Sequence, residues 1–412
     1  MQFGLTGGAL GHSYSREIHA AIADYEYELV ELKPDEVRPF IEKREFRGIN
    51  VTIPYKQTVM PLIDEISDEA LAIGAVNTIV NKNGRLYGYN TDFYGMTAML
   101  RKYGMDLKDK KVLVLGTGGT SKTANAVAKH LGAKEILTVS RKKTQNTATY
   151  EEALEKHNDA QIIINTTPVG MFPHGSEKPV DISRFTCLSG VADAVYNPLR
   201  TNLVLDALER GIPACGGLYM LSAQGVMASA LFRDIPCDSS IVEKAFTQVE
   251  NGKRNIVLTG MPTSGKTSVG TLIAEKTGRK FYDTDEITQE LTGMPIPGYI
   301  REYGEPAFRE KERLAVEKAS QYSGAVIATG GGAVMNAENV RALRRNGTLV
   351  FLNRSLEKLT AATDRPLSDS GDKLAKLFET RLPVYMKTAD TVINGDVTVE
   401  EAAQAVMKEL KL

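Results

Sequence analysis

The chain has no tryptophan and only three cysteines, Cys187, Cys215 and Cys237. These form no CxxC pair and no Cys/His cluster, which excludes a disulfide framework or a thiolate zinc site as the organising element. Neither sign of charge is in excess: 50 basic against 51 acidic residues leave a formal net charge of -1. That removes the electrostatic case for a nucleic-acid partner or an anionic membrane surface. Long apolar runs are missing too, so nothing is suited to crossing a bilayer. The N-terminal Gln2-Phe3-Gly4-Leu5 reads as a strand, not as a basic segment leading into an apolar targeting stretch. A cytoplasmic location and small-molecule partners are the expectation. What remains is ordinary: 412 residues, 42% hydrophobic and 25% charged, enough for roughly three domains, each with its own core.

Against this background two glycine turns stand out. Gly116-Thr117-Gly118-Gly119 follows the apolar run Val112 to Leu115. Gly260-Met261-Pro262-Thr263-Ser264-Gly265-Lys266-Thr267 follows Ile256 to Leu258. Each is a strand, a glycine turn and then a helical pattern, which aims backbone N–H groups and a helix N-terminus at a phosphate. The first suits a dinucleotide, with Gly116, Gly118 and Gly119 approaching the pyrophosphate; Ser121 stands where the full fingerprint has its third glycine. The second is a complete P-loop. Its backbone, from Gly260 to Gly265, cradles phosphates, Lys266 reaches the transferred region and Thr267 ligates Mg²⁺. Two such loops on one chain imply two reactions.

About 20 residues beyond the first loop, where an acid would bind a free ribose 2′-OH, the chain has Ser140-Arg141-Lys142-Lys143. A basic cluster there suits a 2′-phosphate, so NADP(H) is expected over NAD.

Strand signals fall at Gln2–Leu5, Glu26–Leu32, Gly48–Val51, Thr78–Lys82 and Arg85–Tyr89, the last two joined by the hairpin turn Asn83-Gly84. Helical patterns fill Ser15–Ala23, Asp35–Lys43 and Asp92–Tyr103. From about 107 to 217 short apolar strands alternate with helices at Lys122–Leu131 and Leu203–Arg210, the pattern of a parallel sheet covered on both faces. Asn251-Gly252-Lys253-Arg254 is the expected boundary, where an Asn-Gly pair should stop a helix before a fresh strand. The remainder is again α/β, and Thr398 with Glu401 forms a capping box.

The first part resembles shikimate dehydrogenases. The matching segments are His12-Ser13-Tyr14-Ser15, Asn50-Val51-Thr52-Ile53-Pro54-Tyr55-Lys56, Gly74-Ala75-Val76-Asn77-Thr78, Gly88-Tyr89-Asn90-Thr91-Asp92, Asn165-Thr166-Thr167-Pro168, Tyr196-Asn197-Pro198 and Gly217 to Gln224. They run in order over about residues 1 to 250. The resemblance implies that Lys56 supplies the proton to a forming alkoxide and that Asp92 holds its ammonium. It implies Ser13 and Ser15 at the substrate carboxylate, Tyr196 near that end, and Thr52, Asn77 and Gln224 on ring hydroxyls. One departure is Arg16, where the family often has proline.

Residues 253 to 412 resemble shikimate kinase, through the P-loop, Phe281-Tyr282-Asp283-Thr284-Asp285, Phe308-Arg309 with Glu312, Thr329-Gly330-Gly331-Gly332, Asp364-Arg365-Pro366-Leu367 and Arg381-Leu382-Pro383-Val384-Tyr385. The resemblance implies that Asp283 orders Mg²⁺ and that Asp285 accepts from the attacking hydroxyl. Arg309 and Arg381 would clamp a carboxylate as planar forks. Gly331 would let backbone approach the ring. Arg365 would reach the transferring phosphoryl group from a lid. Ala361 and Ala362 stand where relatives usually carry arginine, so a looser lid is expected.

The expected fold class is α/β: a two-domain dehydrogenase with a Rossmann-like NADP domain, then a P-loop kinase domain with a parallel sheet of nucleoside-monophosphate-kinase type. The expected division is 1–102 plus 220–250 for substrate binding, 103–219 for NADP, and 253–412 for Mg-ATP-dependent phosphorylation. Competing readings replace 3-dehydroshikimate reduction by quinate oxidation, give the kinase another small hydroxy acid or a nucleotide, or make one half a ligand sensor.

Overall fold

The structure is a computed structural model and describes residues 1–11, 13–359 and 371–412. Two compact units divide it, Met1–Glu250 and Asn251–Leu412.

The first unit has two sheets. One contains β1 (Phe3–Gly7), β2 (Tyr27–Glu31), β3 (Gly48–Val51), β4 (Glu65–Ile66), β5 (Thr78–Lys82) and β6 (Arg85–Tyr89), in the order β2-β1-β3-β5-β6-β4. β1 runs parallel to β2 and β3, whereas β5 is antiparallel to β3 and β6. The β5–β6 turn uses Asn83 at φ 54° and Gly84 at φ 85°, as an Asn-Gly hairpin requires. With this sheet go α1 (Ser15–Ile22), α2 (Val37–Lys43), α3 (Asp68–Ile73) and α4 (Thr91–Lys102).

The second sheet is wholly parallel: β7 (Lys111–Leu115), β8 (Glu135–Val139), β9 (Ile162–Asn165), β10 (Gly190–Asp193) and β11 (Ala214–Cys215), ordered β11-β10-β9-β7-β8. Its helices are α5 (Gly119–His130), α6 (Tyr150–Lys156) and α7 (Asn202–Glu209), followed by α8 (Leu218–Arg233) and α9 (Ser239–Lys253). Successive residues of one strand feed different cores. Val112, Val114, Ile162 and Ile164 join the cluster containing Met96, Met99 and Val226; Leu113, Leu115 and Ile163 join the one containing Phe185 and Leu203. Burial on both faces explains the uninterrupted apolar runs.

Helices α4 and α8 lie against each other because Gly95 lacks a side chain: a Cβ there would sit 2.5 Å from the Met220 carbonyl oxygen. That approach carries Asp92, on α4, and Gln224, on α8, into one site.

The second unit has one parallel sheet, β12 (Asn255–Thr259), β13 (Phe281–Asp283), β14 (Val326–Ala328), β15 (Gly347–Asn353) and β16 (Thr391–Asn394), ordered β13-β14-β12-β15-β16. Its helices are α10 (Lys266–Thr277), α11 (Thr284–Thr292), α12 (Ile296–Ser320), α13 (Ala337–Asn346), α14 (Gly371–Thr388) and α15 (Val399–Glu409). α12 is kinked at Gly304, φ 84°, just before Pro306. α15 opens with the Thr398/Glu401 capping box. Among the described residues no helix is long and apolar enough to cross a membrane.

Two local expectations are corrected, and two helices were not foreseen. The Asn251-Gly252 pair does not stop a helix: α9 continues to Lys253. Its last carbonyls find tertiary donors, with Gly324 N and Asn346 Nδ2 donating to Lys253 O at 2.8 and 3.2 Å and Arg279 Nη2 donating to Asn251 O at 2.5 Å. Those bonds sustain a final turn that local propensity disfavours. α5 begins at Gly119 rather than Lys122, because the glycine turn itself forms the first helical turn. The short α3 and α6 lacked enough length to show periodicity. Both carry side-chain caps, Ser67 accepting from Ala70 N and Thr149 forming a capping box with Glu152.

Candidate active sites

In the first unit Lys56 Nζ donates to Asp92 Oδ2 at 2.6 Å, and the two side chains are only 14% and 10% exposed. Lys56 follows β3 on a segment pinned at both ends. Thr52 N donates to Thr6 O at 2.9 Å, Val76 N donates to Lys56 O at 2.8 Å, and the Tyr55 hydroxyl donates to Leu32 O at 2.6 Å. Asp92 sits in the first turn of α4, where the helix dipole favours a carboxylate. Asn90, not Asp92, caps that helix, accepting from Phe93 N at 3.3 Å, so the Asp92 carboxylate is left for the lysine.

A buried amide network adjoins this pair. Thr91 N donates to Asn77 Oδ1 at 2.7 Å, and Asn77 Nδ2 donates to Thr91 Oγ1 at 3.1 Å. The same hydroxyl reaches Gln224 Oε1 at 3.3 Å, while Asn50 Nδ2 donates to Thr78 Oγ1 at 3.0 Å. Ser13 Oγ donates to Ser15 Oγ at 3.1 Å. Tyr14, between them, places its ring 5.1 Å from that of Tyr196, whose phenol burial pushes above its ordinary pKa. Ser13, Ser15, Tyr196 and Thr52 make no direct hydrogen bond to Lys56 or Asp92 among the described residues. Arg16, standing where proline is usual, donates to Tyr27 O at 3.3 Å. Thr91 and Asn50 were visible in motifs but carried no expected role. Their hydrogen bonds join residues far apart in sequence.

The dinucleotide turn lies beside this group. Gly116 has φ 108°, and a Cβ there would come within 2.9 Å of Thr166 Oγ1. Gly118 is the N-cap of α5 and no side chain caps that end. A Cβ on Gly119 would lie 3.6 Å from Lys56 Cδ, so the turn and the lysine stem are neighbours. The loop after β9 is held by Asn165, whose Oδ1 accepts from Thr167 N at 3.0 Å and whose Nδ2 donates to Asp193 Oδ1 at 2.9 Å. Val195 N and Thr201 Oγ1 also donate to Asp193, at 2.9 and 2.7 Å. Burial outweighs these donors and raises the Asp193 pKa to about 7. In the basic cluster the Ser140 hydroxyl donates to Lys142 O. Arg141 and Lys142 are exposed, whereas Lys143 pairs with Glu152. The uncapped helix N-terminus, close-packed glycines and two exposed cations fit a phosphorylated dinucleotide.

In the second unit Gly260, φ 150°, and Gly265, φ 92°, bend the P-loop around the start of α10. Lys266 Nζ donates to Gly260 O at 3.0 Å and Met261 O at 2.8 Å. α10 has no side-chain cap, and the buried Ser264 Oγ has no partner among the described residues, which fits a loop built to receive phosphate oxygens. Thr267 Oγ1 donates to Asp283 Oδ2 at 3.2 Å, the pairing expected of Mg²⁺-ordering groups. Asp283 also caps α11 by accepting from Asp285 N at 2.9 Å.

The glycine triplet after β14 is wrapped by charge. A Cβ at Gly330 would lie 2.6 Å from Asp285 Oδ1 and 2.8 Å from Glu312 Oε1; at Gly332 it would lie 2.3 Å from Arg309 Nη1. Arg309 Nη1 donates to the buried Glu312 Oε2 at 2.8 Å. Burial works against the guanidinium charge, but Glu312 and Glu305 outweigh it and raise the Arg309 pKa. Arg381 is buried on α14 beside Tyr385. Glu312 thus belongs to the site, although the sequence showed it only as part of a motif. Arg365 and the expected looser lid around Ala361 and Ala362 lie outside the described residues.

Fold and sites define a nicotinamide-type oxidoreductase on a two-sheet scaffold joined to a P-loop phosphotransferase. The family model described as the shikimate dehydrogenase substrate binding domain matches residues 5–79, and the shikimate kinase model matches 262–411. A shikimate dehydrogenase (NADP(+)) from Clostridium beijerinckii is 36% identical over 266 residues, covering 60% of this chain and 98% of the relative. One from Clostridium perfringens is 38% identical with the same coverage. Among solved structures, shikimate dehydrogenase 1 from Peptoclostridium difficile aligns with TM-score 0.56 and 33% identity, covering 60% of this chain and 98% of its own. A chorismate mutase/shikimate 5-dehydrogenase fusion protein from Clostridium acetobutylicum aligns with TM-score 0.57 and 34% identity, covering 60% and 96%. The chain belongs to the shikimate dehydrogenase family and carries a shikimate kinase domain at its C-terminal end.

Proposed function

We propose that the chain reduces 3-dehydroshikimate to shikimate with NADPH and then phosphorylates the shikimate 3-hydroxyl with Mg-ATP. It is a bifunctional enzyme of the shikimate pathway, an NADP-dependent shikimate dehydrogenase and a shikimate kinase on one chain. The observation that carries the first activity is the sheltered Lys56–Asp92 pair at 2.6 Å, beside the dinucleotide turn. A nicotinamide held at the dinucleotide turn would supply the hydride that reduces the ring ketone. Lys56 delivers the proton to the forming alkoxide, and Asp92 holds and orients the ammonium. Asn77, Thr52 and Gln224 hold ring hydroxyls, and Ser13, Ser15 and Tyr196 take the carboxylate. Arg141 and Lys142, with Ser140, take the 2′-phosphate.

In the kinase half, Lys266 would exchange its loop carbonyls for phosphate oxygens, and Thr267 with Asp283 would order Mg²⁺. Asp285 accepts the proton of the attacking hydroxyl, while Arg309 and Arg381 bind the carboxylate and Gly331 lines the ring. Arg365 is assigned to the transferring phosphoryl group. The strand order β13-β14-β12-β15-β16 supports a sheet of nucleoside-monophosphate-kinase type. We assign residues 1–102 with 220–250 to substrate binding, 103–219 to NADP and 253–412 to the kinase. A reducing cytoplasm suits the three free cysteines.

The test is one incubation of the chain with 3-dehydroshikimate, NADPH and Mg-ATP, following shikimate and shikimate 3-phosphate over time. Phosphorylated product with NADPH consumption is expected. Shikimate that accumulates unphosphorylated would refute the kinase assignment, and unconsumed NADPH the dehydrogenase assignment.

A further inference from the structure

Tyr385 is not needed by the chemistry above, yet its hydroxyl sits between the two loops that serve it. The side chain is 1% exposed and stacks on Phe351 at 4.9 Å with 9° between the rings. Its hydroxyl reaches Gly260 O, in the P-loop and 125 residues away, at 2.9 Å, and it also reaches Gly331 O, in the glycine triplet. Arg381 lies one turn earlier on α14, and its charge opposes the burial that raises the phenol's pKa. The two loops touch in front of it: a Cβ on Gly331 would lie 2.9 Å from Pro262 Cδ.

We propose that Tyr385 is a positioning residue of the kinase site, holding the glycine triplet against the P-loop through one hydroxyl shared by Gly331 and Gly260. A phenol has a single hydrogen for two carbonyls. Gly260 O also receives the Lys266 ammonium at 3.0 Å, so loss of the hydroxyl falls mainly on Gly331. Gly331 belongs to the substrate side. The role therefore shows in the acceptor substrate's KM rather than in that of ATP. This rests on the kinase reading proposed above.

The experiment is Tyr385→Phe in the full chain, which keeps the ring and its stacking on Phe351. The shikimate KM should rise roughly tenfold, the scale for stranding a buried acceptor. The ATP KM and kcat should stay within about twofold, and NADPH-dependent reduction should be unchanged. Hydrogen exchange at the amides of Gly330 to Ala333 should accelerate. Phe351→Leu, which keeps the hydroxyl but removes the ring that fixes it, should raise the shikimate KM in the same direction by less. An unchanged shikimate KM in Tyr385→Phe overturns the proposal, as does a fall in kcat alone that tracks loss of folded chain. If the unaltered chain does not phosphorylate shikimate, the kinase reading fails and this role fails with it. If it does and Tyr385→Phe leaves KM alone, only the positioning role is lost.

Discussion

The first unit buries two titratable groups whose shifts oppose each other, and the balance can be tested. His19 is fully buried, stacked on Tyr27 at 3.8 Å, with Nδ1 2.6 Å from the Tyr25 hydroxyl. Burial lowers its pKa to about 3, and Arg233 acts in the same direction. Below pH about 6.5 the unfolded chain takes up a proton that the folded chain refuses, so His19 removes stability as pH falls. Asp193 does the reverse. With a folded pKa of about 7, it is protonated in the folded state while still ionised in the unfolded one, so it adds stability as pH falls from above 7 towards 4. Between pH 7.5 and 5 each contribution integrates to about 2 kcal/mol, with opposite sign. They nearly cancel, and other groups are common to all variants. His19→Gln should therefore gain about 2 kcal/mol of unit-1 stability relative to the parent chain as pH drops from 7.5 to 5, and Asp193→Asn should lose about as much. Each variant also carries a pH-independent cost from altered packing, so the slope is the readout. Pulse proteolysis across a urea series at the two pH values, scoring unit-1 fragments on gels, gives that slope, and unit 2 serves as the internal control. Parallel slopes in the parent chain and His19→Gln would refute the claim that His19 is held neutral.

The remaining predictions concern the sites. Lys56→Ala should lower kcat of reduction by about 10²- to 10⁴-fold, the range for a general acid, while phosphorylation by the same preparation is unaffected. Lys266→Ala should give the mirror image, and a variant that lost both activities while folded would disprove independent sites. Replacing Arg141 and Lys142 together by alanine should raise the NADPH KM at least about tenfold with little effect on NADH, so equal losses would place the 2′-phosphate elsewhere. Gly332→Ala puts a methyl 2.3 Å from Arg309 Nη1 and should raise the shikimate KM of the kinase reaction, measured at saturating ATP, while leaving reduction intact.

Both phosphate loops were legible in the sequence because their requirement is local. A backbone turn at positive φ needs glycine, and Gly116, Gly260 and Gly265 adopt φ of 108°, 150° and 92°. The parallel sheets were legible for a similar reason, since strands buried on both faces must be apolar throughout. Sequence also supplied Lys56, Asp92, Asp285 and Arg309 as candidates, through segments that resemble known families. Tertiary structure decided which candidates meet. Lys56 and Asp92 lie 36 residues apart, and their contact depends on the strand and loop pairing that places Lys56 and on the Gly95 approach that seats α4. Thr91 and Tyr385 showed their contacts only in three dimensions, because each bonds to residues on other elements, and Glu312, which bonds to Arg309 on its own helix, met the glycine triplet only there. The unbroken α9 makes the same point at Asn251-Gly252, where propensity favoured a stop and donors from 28 and 93 residues away favoured another turn. Backbone geometry and hydrophobic period are written residue by residue. The pairing of distant polar groups follows from which surfaces pack, and that is settled only when the whole chain is folded.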